Sequence, residues 1–270
     1  MFTNSCTTGG IYSASPATNR IIMVRSLLVR GMLVGIVAGL LSFVFLKIYG
    51  EPQVDIAVAF ESQVEATKAA AAGTSSMEEM PELVSRQVQA GLGLFTAVMV
   101  YSVALGGLFG LAFAFAYRRM PGAVTPQGVS LLLAAACFVA VYLVPNLKYP
   151  ANPPSVGNPE TLEMRTALYF VMIAISIAAI IGAFSLKRLL LRRLGDWNST
   201  LAVAAYYIVI VAIAGLLLPA VNEVPEQFPA VVLWKFRVAS IGAQFILWAT
   251  LGLLFGAWTQ RAAVNGGLRT

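Results

Sequence analysis

The side chains of this sequence that could do chemistry are oxygen donors. Histidine is absent, and the only cysteines are Cys6 and Cys137. That removes imidazole as base, ligand or pH switch, and leaves too few thiols for a disulfide framework or a four-ligand zinc site. The oxygen donors gather in three hydrophilic segments. One opens Gly50-Glu51-Pro52-Gln53-Val54-Asp55 and runs on through Glu61; a second spans Pro145 to Glu160 and includes Asn152; a third reads Pro219-Ala220-Val221-Asn222-Glu223-Val224-Pro225-Glu226. Five prolines between Pro145 and Pro159 forbid a regular helix and lack the N–H donors of a sheet. A rigid extended strip with exposed carbonyls is therefore expected. Glu51, Asp55, Glu61, Asn152, Glu160, Asn222, Glu223 and Glu226 offer hard carboxylate and amide oxygens suited to a divalent cation. A plainer reading is also open, in which Pro and Asn simply turn short connections between helices.

What holds these segments follows from composition. Of 270 residues, 59% are hydrophobic and 11% charged, with mean hydropathy +0.80. A soluble domain carries about 45–50% apolar and about 25% charged residues, so a soluble enzyme and a disordered chain are both excluded. A helix crosses hydrocarbon in about 20 apolar residues. Six stretches qualify: 31–48, 91–117, 128–144, 166–186, 201–219 and 238–258. None alternates with the period of two expected of barrel strands. The fold class is an all-α integral membrane protein, a polytopic bundle of about six transmembrane helices. Residues 1–22 lack apolar periodicity and are expected to be a disordered extension, with Met23 an alternative start. Residues 23–260 form a single transmembrane domain and 261–270 a tail. The run Gly31–Ile48 exceeds a signal-peptide core and reads as an uncleaved anchor.

Eleven of the eighteen basic residues fall on the side of the two termini, which makes both termini cytoplasmic. Eleven of the twelve acids fall on the other side. Either acids go where cations are not needed for orientation, or they form an outer face that concentrates cations. Nothing interleaves aromatics with cations, so nucleic-acid binding is excluded and membrane lipid is the expected partner of the basic side.

No Asp, Glu, Lys or Arg stands mid-span, which argues against a self-contained proton or sodium antiporter; Lys47, at a span end, is free to snorkel. Ser42, Thr96, Tyr101, Ser102, Tyr142, Gln244 and Thr250 are either interhelical hydrogen bonds or a pathway lining. Gly31, Gly35 and Gly39, then Gly106 and Gly110, then Gly252 and Gly256 recur every four residues, the spacing of a smooth stripe for close helix packing. Whether those stripes meet within the chain, in a homo-oligomer or in a partner is left open. No phosphate-binding loop and no nucleophile–base pair is present, so no enzyme activity is expected. In the first loop, Pro52 is expected to open a short surface helix. Ala69–Ser75 is expected to be a linker, and the Ser76–Glu79 spacing with Pro81 to start the helix into the second span.

Four sequences bring a family into view: Leu28-Val29-Arg30-Gly31-Met32, Gly50-Glu51-Pro52-Gln53-Val54-Asp55, Lys148-Tyr149-Pro150-Ala151-Asn152-Pro153-Pro154 and Pro219-Ala220-Val221-Asn222-Glu223-Val224-Pro225. Together they resemble the CbtA family, from about Met23 to about Phe255. The resemblance implies a subunit of a cobalt transporter, multi-pass in the bacterial inner membrane, with cobalt as the transported ion and no permanently bound cofactor. It also implies a small single-span partner, CbtB, with a histidine-rich terminus, which would supply the nitrogen ligands this chain lacks. Family descriptions often give five spans; the cation distribution here favours six. A non-conducting membrane scaffold is the alternative function.

Overall fold

The computed structural model describes residues 16–72, 84–119, 124–154 and 156–265. Among them there is no strand. Five helices are long and apolar enough to cross a membrane, making the chain an all-α polytopic membrane protein. In order, the helices are α1 (Pro16–Tyr49), α2 (Glu51–Ala72), α3 (Arg86–Tyr117), α4 (Pro126–Lys148), α5 (Leu162–Leu217) and α6 (Ala230–Val264). All but α2 are spanning candidates.

Helix α5 counts once among the five, yet its 56 residues would extend about 84 Å if straight, against about 30 Å of hydrocarbon. It is not straight. Gly195 adopts φ 73° and ψ 175°, a region open essentially to glycine alone, and the chain folds back there. The Ser176 and Tyr207 hydroxyls, 31 positions apart in sequence, lie 2.7 Å from one another. Lys187 reaches Asp196 at 3.2 Å beside the turn. The two limbs, 162–194 and 196–217, each exceed the about 20 residues needed for a crossing.

The bundle centres on α1, α3, α4 and α6. Without water to expel, helices in hydrocarbon associate through close packing and interhelical hydrogen bonds, and the glycine stripes supply the first. A Cβ on Gly31 would run into the Gly106 carbonyl, one on Gly35 into the Ser102 carbonyl, and one on Gly110 into the Leu27 carbonyl. The stripes of α1 and α3 are thus consumed within the chain, against one another. Gly252 and Gly256 of α6 pack on Ala134 and Ser130 of α4, where the Ser130 hydroxyl donates to the Gly252 carbonyl at 2.9 Å. Phe109, Phe113 and Phe255 meet edge-on beside these contacts, with centroids 5.1–5.4 Å apart. Arg30 of α1 lies 5.9 Å over the Trp258 ring of α6, so the first and last helices share one end of the bundle.

Several expectations are corrected. Helix α1 begins at Pro16, so residues 16–22, expected to be unstructured, are helical; residues 1–15 lie outside the described residues. The surface helix opened by Pro52 is not short, running 22 residues to Ala72 through the first part of the expected linker. Ser76–Glu79 and Pro81 lie outside the described residues. Lys47 is exposed at its span end and donates to the Ala90 carbonyl at 2.9 Å, in the π-helical turn Gln89–Gly93 near the start of α3. Proline does not end α4 either: Pro145 sits inside its last turns, just after a π-helical turn, Phe138–Leu143. The wider turn relieves the clash that a proline ring makes with the carbonyl four residues back.

The glycine contacts make a direct prediction. Gly35→Leu or Gly106→Leu forces backbone apart and should cost about 3 kcal/mol or more. Gly215, with open space around its Cβ position, should accept Leu. Reversible unfolding in mixed micelles checks both, and equal tolerance at all three positions would refute the packing assignment.

Candidate functional site

At the loop end of the bundle, two extended segments lie side by side: 149–158 between α4 and α5, and 218–229 between α5 and α6. Proline-rich backbone has acceptors and few donors, so its carbonyls must be satisfied from elsewhere. The Tyr149 hydroxyl donates to the Pro219 carbonyl at 2.9 Å, tying the two segments together. The buried Asn146 side chain accepts from the Ala151 N–H at 3.1 Å. Arg237, two turns into α6, donates from Nε to the Ala151 carbonyl at 3.3 Å and from Nη2 to Asn152 Oδ1 at 2.8 Å. Arg165, in the first turns of α5, donates to the Asn158 carbonyl at 3.3 Å. It passes so close to Gly157 that a Cβ there would meet Nη1 at 2.5 Å, and Gly157 also has φ 125°. Glycine is required at that position twice over. Helix α2 packs against both segments: Ala57 is fully buried near Val156, Phe228 and Val232, and the Phe60 and Phe228 rings meet edge-on.

Glu223 is the electrostatic centre of this clasp. Its carboxylate accepts from the Thr161 hydroxyl and from the Asn158 N–H at 2.7 Å, with Arg165 Nε at 3.4 Å. The Thr161 and Asn158 donors, aided by the Arg165 charge and opposed by partial burial, hold its carboxyl below the ordinary carboxylate range.

Between the segments and the ends of α4, α5 and α6 lies a cavity of about 380 Å³. Its wall includes Asn152, Asn222 and Glu223, three of the eight oxygen-donor residues singled out in the sequence, together with Arg165, Arg237 and Tyr169. The other five stand elsewhere. Glu51 and Asp55, in the first turns of α2, both accept from Arg86 Nη2, at 2.7 and 2.9 Å. Glu61 is exposed further along α2, and Glu160 and Glu226 are exposed on the segments flanking the cavity. The set is therefore divided. Among the described residues no group of three or more His, Cys, Asp or Glu is arranged to hold a metal ion.

Below the cavity a polar seam enters the bundle. Arg237, Ser240 and Gln244 follow one another at three- and four-residue steps, one face of α6. The Ser240 hydroxyl pairs with Tyr142 of α4 at 2.7 Å, and Gln244 Nε2 lies 3.5 Å from the Tyr101 hydroxyl of α3. The seam starts at the cavity, because Tyr142 lines it. Sequence reasoning passed over Arg165 and Arg237, counting them only as topology charges. The available signal was a guanidinium two turns inside an apolar helix, in step with Ser and Gln.

Glu223 gives a pH prediction. Since its folded pKa is lowered, its stabilising contribution is present above the unfolded carboxyl value of about 4.3 and is lost as pH falls through the folded value. The stability gap between wild type and Glu223→Gln should be widest near neutrality and close as pH falls below about 4. Thermal unfolding across pH tests this, and a gap that widens on acidification would refute the clasp.

Residues 24–260 match the CbtA family, described as a probable cobalt transporter subunit. No curated protein and no solved structure matches the chain. The chain belongs to the CbtA family.

Proposed function

We propose that this CbtA-family chain is the membrane-embedded subunit of a bacterial cobalt-uptake system and that the cargo enters through the cavity on its loop face. The observation that carries the reading is continuity. One wall of the cavity, Arg237 and Tyr142, is also the top of the seam that leads through Ser240 and Gln244 to Tyr101. Among the sequence-derived oxygen donors, Asn152, Asn222 and Glu223 are in position to touch a cargo in the cavity. Glu51 and Asp55 are assigned a fastening role with Arg86, and Glu61, Glu160 and Glu226 have no ligand role here.

The reading includes six crossings. The fold-back of α5 at Gly195 supports it, as does the meeting of α1 and α6 at one end. By the distribution of cations both termini face the bacterial cytoplasm and the cavity faces outward. A membrane-impermeant thiol reagent on intact cells should label Asn222→Cys and spare Asp196→Cys, in a background lacking the native cysteines. The reverse pattern would overturn the orientation. A partner subunit fits a family described as one component of a transporter, and a histidine-rich single-span protein would add the nitrogen ligands absent here. The scaffold alternative is suggested by abundant glycine stripes and mild polar content, and of those stripes the ones on α1 and α3 pack against one another within the chain.

Accumulation of cobalt, nickel and zinc in an uptake-deficient host tests the function, with the chain expressed alone and with its histidine-rich partner. Selective cobalt gain, reduced on the order of tenfold in Asn152→Ala or Tyr142→Phe by loss of about one hydrogen bond, is the expected result. No gain for any metal in either combination, with the protein verified in the membrane, would overturn it.

A further inference from the structure

The cavity proposed as the entry is built for an anion. Of the ion pairs among the described residues, one joins Arg165 to Glu223 and none involves Arg237. With two guanidinium groups and one carboxylate in its wall, the cavity carries a net positive charge. Arg237 is half-buried, and its recorded partners are a carbonyl and an amide oxygen, both neutral. These two contacts fix the plane of the guanidinium and leave further N–H donors for a ligand. A cation withdrawn from water in this way is stabilised by a counter-charge, and among the described residues no carboxylate lies within ion-pairing distance of Arg237. The remaining polar wall is hydrogen-bonding and neutral, as at Tyr169 and Asn222. A volume of about 380 Å³ is far larger than a metal ion needs and falls at the small end of sites for organic ligands, about 300–1,000 Å³.

Resting on the reading of the cavity as the cargo's entry, we propose that the metal arrives there as an anionic complex with a small polycarboxylate, and that Arg237 pairs with a carboxylate of that chelator. This accounts for both features that sit badly with a bare ion. No cluster of protein ligands is needed, since the chelator brings its own oxygens, and the net positive wall becomes an attraction.

The test is direct binding to the purified full-length protein in phosphatidylcholine nanodiscs, followed by calorimetry with three probes: citrate, its 1:1 cobalt complex and hydrated cobalt chloride. Citrate or cobalt citrate should bind and hydrated cobalt should not at the same concentration. Arg237→Gln should weaken binding on the order of ten- to a hundredfold, the loss of a charge-assisted pair. Asn222→Ala, on an exposed loop away from the Arg237 contacts, should weaken it several-fold, and covers the case in which Arg237→Gln fails to fold. Hydrated cobalt binding as well as its citrate complex would overturn the proposal, and so would unchanged affinity in both variants. Citrate binding that disappears in phosphatidylglycerol discs would also overturn it, making a lipid headgroup the occupant. Cobalt uptake without any citrate binding would sink this inference and leave the transport reading. Citrate binding without metal uptake would sink the transport reading and the delivery of metal with it, leaving only an anion site at Arg237.

Discussion

The loop face exists because proline-rich backbone cannot satisfy itself. Segments 149–158 and 218–229 present carbonyls in excess of N–H groups, at the edge of a medium where an unpaired polar group costs several kcal/mol. Their donors come from three directions: Tyr149 in the first segment, Arg165 on α5 and Arg237 on α6. Each donor reaches across a gap between elements, so closing the hydrogen-bond account also fixes the positions of the α5 and α6 entrances relative to the segments. The cavity is the space left between those reaching side chains. Its shape is therefore as rigid as the clasp, and the low folded pKa of Glu223 is the electrostatic signature of that clasp.

The rest of the bundle follows a different economy. Between α1 and α3 the helices touch backbone to backbone through glycine, with Leu27, Val34, Phe109 and Phe113 buried in the same cluster. Large apolar residues such as Leu108, Phe115 and Ile181 point outward, as they must where lipid replaces water. Polar residues are spent between helices: Ser42 on the Ala243 carbonyl, Ser130 on the Gly252 carbonyl, Ser176 on Tyr207. The Tyr142–Ser240 contact belongs chemically to this class, but it lies under the cavity and so has a second use available to it.

Much of this architecture could be read from the sequence because its causes are local. Apolar run length marks the helices, and a four-residue glycine period marks close packing. The close approach of two glycine helices was legible; which stripe meets which was not, because period carries no information about partner. The site was less legible for a related reason. Glu51 and Arg86 are 35 residues apart and Glu223 and Asn158 are 65 apart, and nothing local distinguishes a carboxylate destined for an arginine from one free to bind a metal. Reading eight oxygen donors as one ligand set treated charge as if it were unassigned. Arg237 shows the converse error. An arginine near a span end satisfies the orientation rule, and that explanation concealed the periodic Ser240 and Gln244 beneath it.

The division of labour among charges bears on what can cross this face. Two unit charges 4 Å apart interact by about 4 kcal/mol at an effective dielectric of about 20, and the figure doubles for a dication. Glu223 offsets part of that repulsion, but its carboxylate is already committed to Thr161, Asn158 and Arg165, so turning it towards a metal would undo the clasp that holds the cavity open. On that reading a hydrated dication approaching the Arg237 wall would meet repulsion offset only by the committed Glu223 carboxylate and the neutral oxygens of Asn152 and Asn222. On the proposed reading the same wall takes a carboxylate without rearrangement, since the guanidinium is already oriented by two neutral contacts and has no ion-pair partner among the described residues. Beneath it the seam of Tyr142, Ser240, Gln244 and Tyr101 carries hydroxyl and amide groups and no formal charge. On the proposed reading, a charged mouth with neutral oxygens below discriminates by the charge of the entering species first and by coordination second. In a chain without histidine and with one thiol among its described residues, coordination chemistry is the scarcer resource, and placing the first selection on net charge suits what the sequence has to offer.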